Sequence, residues 1–302
     1  MARAVEVAAQ AKVNLRLRVL ARETSGYHQI ETLFLRLDLT DTIRVRRTES
    51  ARTLDVAGDG DLDALGPVER NLAWRAAEAY LHARGWPGGF AIEITKRIPV
   101  GGGLGGGSAD AGAVLRGLNA MSDDPLSAPI VLALAARLGA DVPFLASEHA
   151  YAIAWGRGER MLALDPPPSH PVLLIVPGFG VDTRAAYGWL TESRAATNVA
   201  HTEALALEPG ALSTWNSLAP LAGNDFEPVV GARHPEIARH AAELRALGCV
   251  VAMMSGSGST VFGVGASPGF AFARFGDPTP AEAARYILTR TASRVEPISV
   301  IE

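Results

Sequence analysis

An α+β fold in two lobes, with mainly antiparallel sheets and helices, is the architecture this sequence predicts, and three observations predict it. Apolar and polar residues alternate with a period of two over residues 13–19 and again over 30–39, and such short spacing favours antiparallel pairing. Strands and helices interleave further on without the continuously apolar runs of a buried parallel βαβ sheet. A triple proline, Pro166, Pro167 and Pro168, fits inside neither strand nor helix and is the natural boundary. It divides the chain into a first domain over 1–165 and a second over 166–302, as 302 residues at 48% hydrophobic composition suggest.

In the first strand Val13, Leu15, Leu17 and Val19 alternate with Asn14, Arg16 and Arg18, describing a strand with one wet face that carries Lys12 and Asn14 together. After a turn at Ser25 and Gly26, the alternation resumes through Leu33, Leu35, Leu37 and Leu39, followed by Ile43 and Val45. Residues 71–83 carry Leu72, Ala76, Ala79 and Tyr80 at helical spacing and stop before Gly85 and Pro87. Residues 90–97 read as a further strand. Ser108 is expected to open a helix with the stripe Ala111, Val114, Leu115 and Leu118, and residues 130–138 another, capped at Gly139. In the second half, residues 172–176 form a strand, 236–247 an amphipathic helix ending at Gly248, and two β-rich runs flank Ser255-Gly256-Ser257-Gly258-Ser259.

A net charge of −4 and a pI near 6.0 provide no general field for nucleic acid or an anionic membrane, so any anion must be gripped locally. Cys249, the single cysteine, lies beside Val250, Val251 and Ala252 and reads as a buried small hydrophobe in a reducing compartment. Glu6, Gln10 and Lys12 interrupt any N-terminal apolar stretch, and no run reaches the roughly 18 residues a membrane helix needs. A cytoplasmic protein, monomer or homodimer, is the expectation.

The chemistry is concentrated at one place. Six of the seven residues from Gly101 to Gly107 are glycine, broken only by Leu104, between a strand and a helix. Glycines there let the backbone approach a ligand and point several N–H groups one way. A helix N-terminus favours an anion by roughly 0.3–1 kcal/mol, up to about 2, too little alone for a triphosphate. No lysine follows Gly107, so the P-loop pattern fails. Gly101, Gly103 and Gly106 satisfy G-x-G-x-x-G formally, but Asp123 and Asp124, the acidic residues at dinucleotide spacing, have no strand before them. Phosphoryl transfer also needs a group to orient the acceptor hydroxyl and a cation near the γ-phosphate. Asp141 and Lys12 are the candidates, although spacing alone explains Asp141 better as a helix N-cap and Lys12 as a solvated strand lysine.

Three segments together resemble the GHMP kinase family: Ala11-Lys12-Val13-Asn14-Leu15, the loop from Pro99 through Ala109, and Ser255-Gly256-Ser257-Gly258-Ser259. Gly26-Tyr27-His28, Asn71-Leu72 and Gly139-Ala140-Asp141-Val142-Pro143-Phe144 resemble the member that phosphorylates a cytidine-diphosphate-linked polyol of the non-mevalonate isoprenoid pathway. The resemblance implies a GHMP-kinase-like fold with ATP, Mg²⁺ and a small-molecule acceptor meeting in a cleft between lobes. It implies Lys12 and Asp141 as the catalytic pair. Pro99, Val100, Gly101, Gly102, Gly103, Leu104, Gly105, Gly106, Gly107, Ser108, Ala109 and Asp110 would hold the nucleotide, with Asn71 and Lys96 near the adenine and Ser108 the candidate metal contact. Asn14, Tyr27, His28, Tyr187, Gly256, Ser257 and Gly258 would line the acceptor side, Tyr27 and His28 receiving the cytosine. Asp110 departs from the pattern, standing where an asparagine is common. The alternatives are a homoserine- or mevalonate-type kinase of the same family, a non-catalytic ligand-binding member, and, more distantly, a nicotinamide dehydrogenase.

Overall fold

In the computed structural model, residues 4–23, 28–58, 66–197, 208–272 and 284–301 are described. Strands β1 (Ala4–Arg22) and β2 (His28–Thr48) pair antiparallel from Ala4↔Arg46 to Arg22↔His28 and form the spine of the larger sheet. Between β3 (Arg52–Gly58) and β4 (Gly89–Lys96) the chain passes through helix α1 (Leu72–Arg84), and that crossover makes β3 and β4 parallel. Helices α2 (Gly106–Ala120), α3 (Ala128–Leu138) and α4 (Val142–Ala146) follow, then β5 (Tyr151–Gly156) on β2 and β6 (Arg160–Ala163) on β5. The stripe Ala111, Val114, Leu115 and Leu118 is buried. Gly117 of α2 makes room for the valine side chains of the sheet: a Cβ there would stand 3.2 Å from a methyl carbon of Val5 and 3.3 Å from one of Val7.

Beyond the triple proline come β7 (Pro171–Val176), α5 (Thr183–Thr197), α6 (Trp215–Leu218), β8 (Gly223–Asn224), α7 (Glu227–Gly231), α8 (Pro235–Ala246), β9 (Val251–Met254), β10 (Val261–Val264), β11 (Arg285–Arg290) and β12 (Ser299–Val300). Among the described residues the second sheet runs β11-β7-β10-β9, antiparallel throughout. Two strands from this half complete the first sheet: β8 pairs parallel with Arg16 and Leu17, and β12 pairs antiparallel with Val5 and Glu6. The fold is α+β with two sheets, and both apolar clusters draw on both of them: one joins the first sheet to Val172, Leu174, Met253 and Phe262 of the second, and the other joins Leu17, Val19 and Ile30 to Leu173, Ile175 and Val261.

Several sequence expectations are corrected. The polar face of β1 is not wet: Lys12, Asn14 and Arg16 are buried beneath later parts of the chain. Helix α2 begins at Gly106, two residues before Ser108. Gly139 does cap α3, its N–H donating to the Ala135 carbonyl, though in an extended backbone with φ of 173° and not a left-handed one. Cys249 is half-buried, and burial pushes its thiol up to about 11. Among the described residues no helix is long and apolar enough to cross a membrane.

Candidate active site

The glycine run leaves β4 through Ile98 and Pro99 and enters α2 at Gly106. Gly105, at the N-cap position with φ of +74°, offers no side chain to the first helical N–H groups, which face outward unpaired within the helix. A side chain at Gly101 would meet nothing within 4 Å, and one at Gly107 only Leu72, at 3.9 Å. Gly103 serves differently. Its φ is +78°, and a Cβ there would stand 2.3 Å from the Ser255 carbonyl oxygen. The Gly103 carbonyl accepts from Ser255 Oγ at 3.0 Å and the Gly102 carbonyl from the Thr260 N–H at 3.2 Å, so the two glycine turns pack backbone against backbone.

Register shifts in the β1–β2 ladder flank the Lys12–Asn14 segment and turn it toward this loop. The Lys12 N–H donates to the Leu104 carbonyl at 3.0 Å, and its ammonium donates to Asn14 Oδ1 at 2.7 Å and the Gly103 carbonyl at 3.1 Å. Asp141 Oδ2 lies 3.2 Å from the same ammonium. Asp141 occupies the N-cap position of α4 yet makes no capping hydrogen bond, so its carboxylate is turned toward Lys12 instead. Asn14 is held in turn by donating to Thr32 Oγ1 at 2.8 Å. At the far end of α4, the buried Arg36 guanidinium donates to the carbonyls of Phe144, Ser147 and His149. Burial and Arg116 lower it to about 9.

A second lysine, Lys96, lies beside the start of α2, its ammonium 3.4 Å from where a Cβ on Gly106 would stand. The Lys96 ammonium donates to Asp41 Oδ2 at 2.5 Å and Asp110 Oδ2 at 2.7 Å, and all three side chains are at most 5% exposed. Asp41 Oδ1 accepts the N–H groups of Arg97 and Ile98, fixing the backbone where it leaves β4 for the loop. Burial pushes the Asp110 carboxyl up to about 7, against the pull of Lys96.

Loop, Lys12, Asp141 and Lys96 line one cavity of about 470 Å³, closed from the second half of the chain by Thr183, Tyr187, Phe226, Gly256 and Ser257. A groove of about 1290 Å³ adjoins it, sharing Ile30, Ala140, Thr183 and Tyr187. His28 lines this groove and stacks on Tyr187, ring centroids 4.6 Å apart and planes 19° apart, while Phe226 meets Tyr187 edge-on. Burial and the charge of Asp141 push the Tyr187 phenol up to about 12. Thr183 Oγ1 and Ser257 Oγ lie 2.8 Å apart across the cavity mouth.

The structure thus gathers Lys12, Asn14, Lys96, Asp141, Tyr187, Gly256, Ser257 and the run from Pro99 to Ser108 on one cavity, with His28 next door. Others fall elsewhere. Tyr27 lies outside the described residues. Asn71 is absent from the cavity wall, its side chain accepting the Ala73 N–H as the N-cap of α1. Ala109 and Asp110 are buried behind the wall, and Gly258 packs on Met254 and Val181. Asp123 and Asp124 follow the end of α2 in a turn where Arg84 pairs with Asp124. Asp41, Thr183 and Phe226 were missed because no motif marks them; only the adjacency of Asp182-Thr183 to Tyr187 hinted at one.

Over residues 71–149 the chain matches the family description GHMP kinases N terminal domain, and over 203–292 GHMP kinases C terminal. The 4-diphosphocytidyl-2-C-methyl-D-erythritol kinase of Desulfotalea psychrophila is 39% identical over 259 residues, covering 85% of this chain and 84% of its own. Its counterpart in Solidesulfovibrio magneticus is 41% identical over 261 residues, covering 84% and 86%. A crystal structure of 4-(cytidine 5'-diphospho)-2C-methyl-D-erythritol kinase aligns with a TM-score of 0.73 at 35% identity, over 95% of this chain and 98% of that one. A homoserine kinase from Cytophaga hutchinsonii, at 16% identity and TM-score 0.66 over 100% and 98%, shares the fold.

Proposed function

The chain belongs to the GHMP family of small-molecule kinases, and from that premise we propose that it transfers the γ-phosphoryl group of ATP to a hydroxyl of 4-diphosphocytidyl-2-C-methyl-D-erythritol, in the cytoplasm. The observation that carries the acceptor is the His28–Tyr187 stack, set in a groove continuous with Asp141 and the glycine loop. An aromatic face beside an imidazole that can donate or accept suits a pyrimidine, and no such platform is needed for a small acid such as homoserine.

In this reading the triphosphate lies along the glycine run, held by the open N–H groups at the start of α2. Asp141 orients the acceptor hydroxyl and accepts its proton as the oxygen bonds to the γ-phosphorus. The bond from that phosphorus to the β–γ bridging oxygen breaks, and its electron pair leaves with ADP. Lys12 holds the Asp141 carboxylate in place and offsets charge on the moving phosphoryl group. Mg²⁺ is proposed to arrive on the nucleotide. The donor set fits that role: Ser108 and Asp141 line the cavity, and no cluster of three His, Cys, Asp or Glu gathers among the described residues. Bound there, the ion would neutralise triphosphate charge.

ADP release is measured with ATP, Mg²⁺ and each of diphosphocytidyl-methylerythritol, homoserine and mevalonate. Turnover with the first alone is expected; turnover only with one of the others would remove the pyrimidine platform from the reading and keep the kinase.

A further inference from the structure

Lys96 is a cation on the wall of the nucleotide cavity, and a Cβ at Gly106, in the first turn of α2, would lie only 3.4 Å from its ammonium. A lysine so placed looks like a phosphate ligand, yet its charge is fully committed. Asp41 and Asp110 both hold it, and the three groups together carry a net charge of −1 when both carboxylates are ionised. The carboxylates have different duties. Asp41 spends its second oxygen on the Arg97 and Ile98 N–H groups, so it anchors backbone. Asp110 Oδ1 is buried with no hydrogen-bond partner, so that half of the carboxylate does no anchoring and is a cost to the fold.

We propose that Asp110 sets the affinity for the nucleotide: it acts through Lys96, over-neutralising that ammonium so that the triphosphate meets no net positive charge on this wall and is held by the loop N–H groups and Lys12. The proposal rests on the glycine run being the ATP site. Asp110 is a positioning and charge-balancing residue here, since it lies behind the cavity wall and not on it.

Dissociation constants for ATP and for adenosine are measured at pH 8 and low ionic strength on the full chain, wild type beside Asp110→Asn and Asp110→Ser, with urea midpoints confirming folding. Both variants bring the cluster from −1 to neutral. ATP binding is expected to tighten by roughly 3- to 10-fold, adenosine by less than 2-fold, and the gain to shrink in about 0.5 M salt. Adding Lys96→Met to Asp110→Asn, which returns the cluster to −1, is expected to cancel the gain. Weaker or unchanged ATP binding in both single variants overturns the proposal, as does a gain shared equally by adenosine or one that survives Lys96→Met. Failure of both single variants to fold would make Asp110 a structural anchor and equally overturn it. A wild-type chain that binds no ATP overturns the proposal together with the reading of the loop beneath it.

Discussion

Two lysines flank the glycine loop, each beside a carboxylate, and their surroundings give them opposite duties. Lys12 is buried, but its partner Asp141 keeps 28% of its side chain exposed and opens onto the cavity. Lys96 is equally buried, and its partners Asp41 and Asp110 are sealed at 0% and 5% exposure. An exposed carboxylate beside a fixed ammonium can exchange a proton with an incoming hydroxyl. A sealed one can only hold its cation and shape the field. Residue type is shared; in the proposed mechanism, access to solvent and ligand decides which pair does chemistry.

The sharpest test of that contrast is Asp141→Ala, expected to lower turnover by roughly 10²–10⁴ with ATP affinity nearly intact. Full turnover in single-turnover assays would move the base elsewhere. Stability should rank the two lysines the other way. Lys96→Met leaves two sealed carboxylates without their cation and is expected to cost about 3–5 kcal/mol in urea unfolding. Lys12→Met, whose carboxylate stays in contact with water, should cost about 1–2 kcal/mol while damaging turnover more. Equal stability losses would mean that solvent does not separate the pairs. On the acceptor side, His28→Ala is expected to raise the acceptor KM roughly tenfold, with a smaller change for ATP. Equal shifts would make the His28–Tyr187 stack a support for the fold.

The glycine run and its place between strand and helix were legible from the sequence because so dense a run of glycine stands out, and Gly101, Gly103 and Gly105 do take the positive φ that favours glycine. The roles proposed for Lys12 and Asp141 could be suggested only by the family resemblance. A lysine in an alternating strand and an aspartate before a short helix have cheaper explanations, and what separates them from those explanations is a 3.2 Å approach between residues 129 positions apart. Asp41 was illegible for the same reason: its partners are the N–H groups of Arg97 and Ile98, and no local pattern encodes that meeting. Gly103 was read correctly as a loop glycine, but its closest neighbour is Ser255 of the other half, a packing demand the motif does not announce. The parallel pairing of β3 with β4 escaped because residues 52–58 carry no strong alternation.

Glu227 supplies an intermediate case, and with it the smallest expected effect. Its Oε2 accepts the Met254 N–H at 2.8 Å at the end of β9, and the Arg245 guanidinium stands 3.8 Å from its other oxygen. Burial raises its pKa above the ordinary value, outweighing the Met254 hydrogen bond and Arg245. A carboxyl raised on folding binds protons more tightly in the folded chain than in the unfolded one. Its ionisation therefore subtracts stability as pH rises from the unfolded value through the folded one. Gln at this position can still accept from Met254 and cannot ionise. The melting temperature of Glu227→Gln should match wild type near pH 4 and exceed it by roughly 1–3 °C at pH 8. A difference that stays flat across that range would mean that burial does not raise this carboxyl on folding.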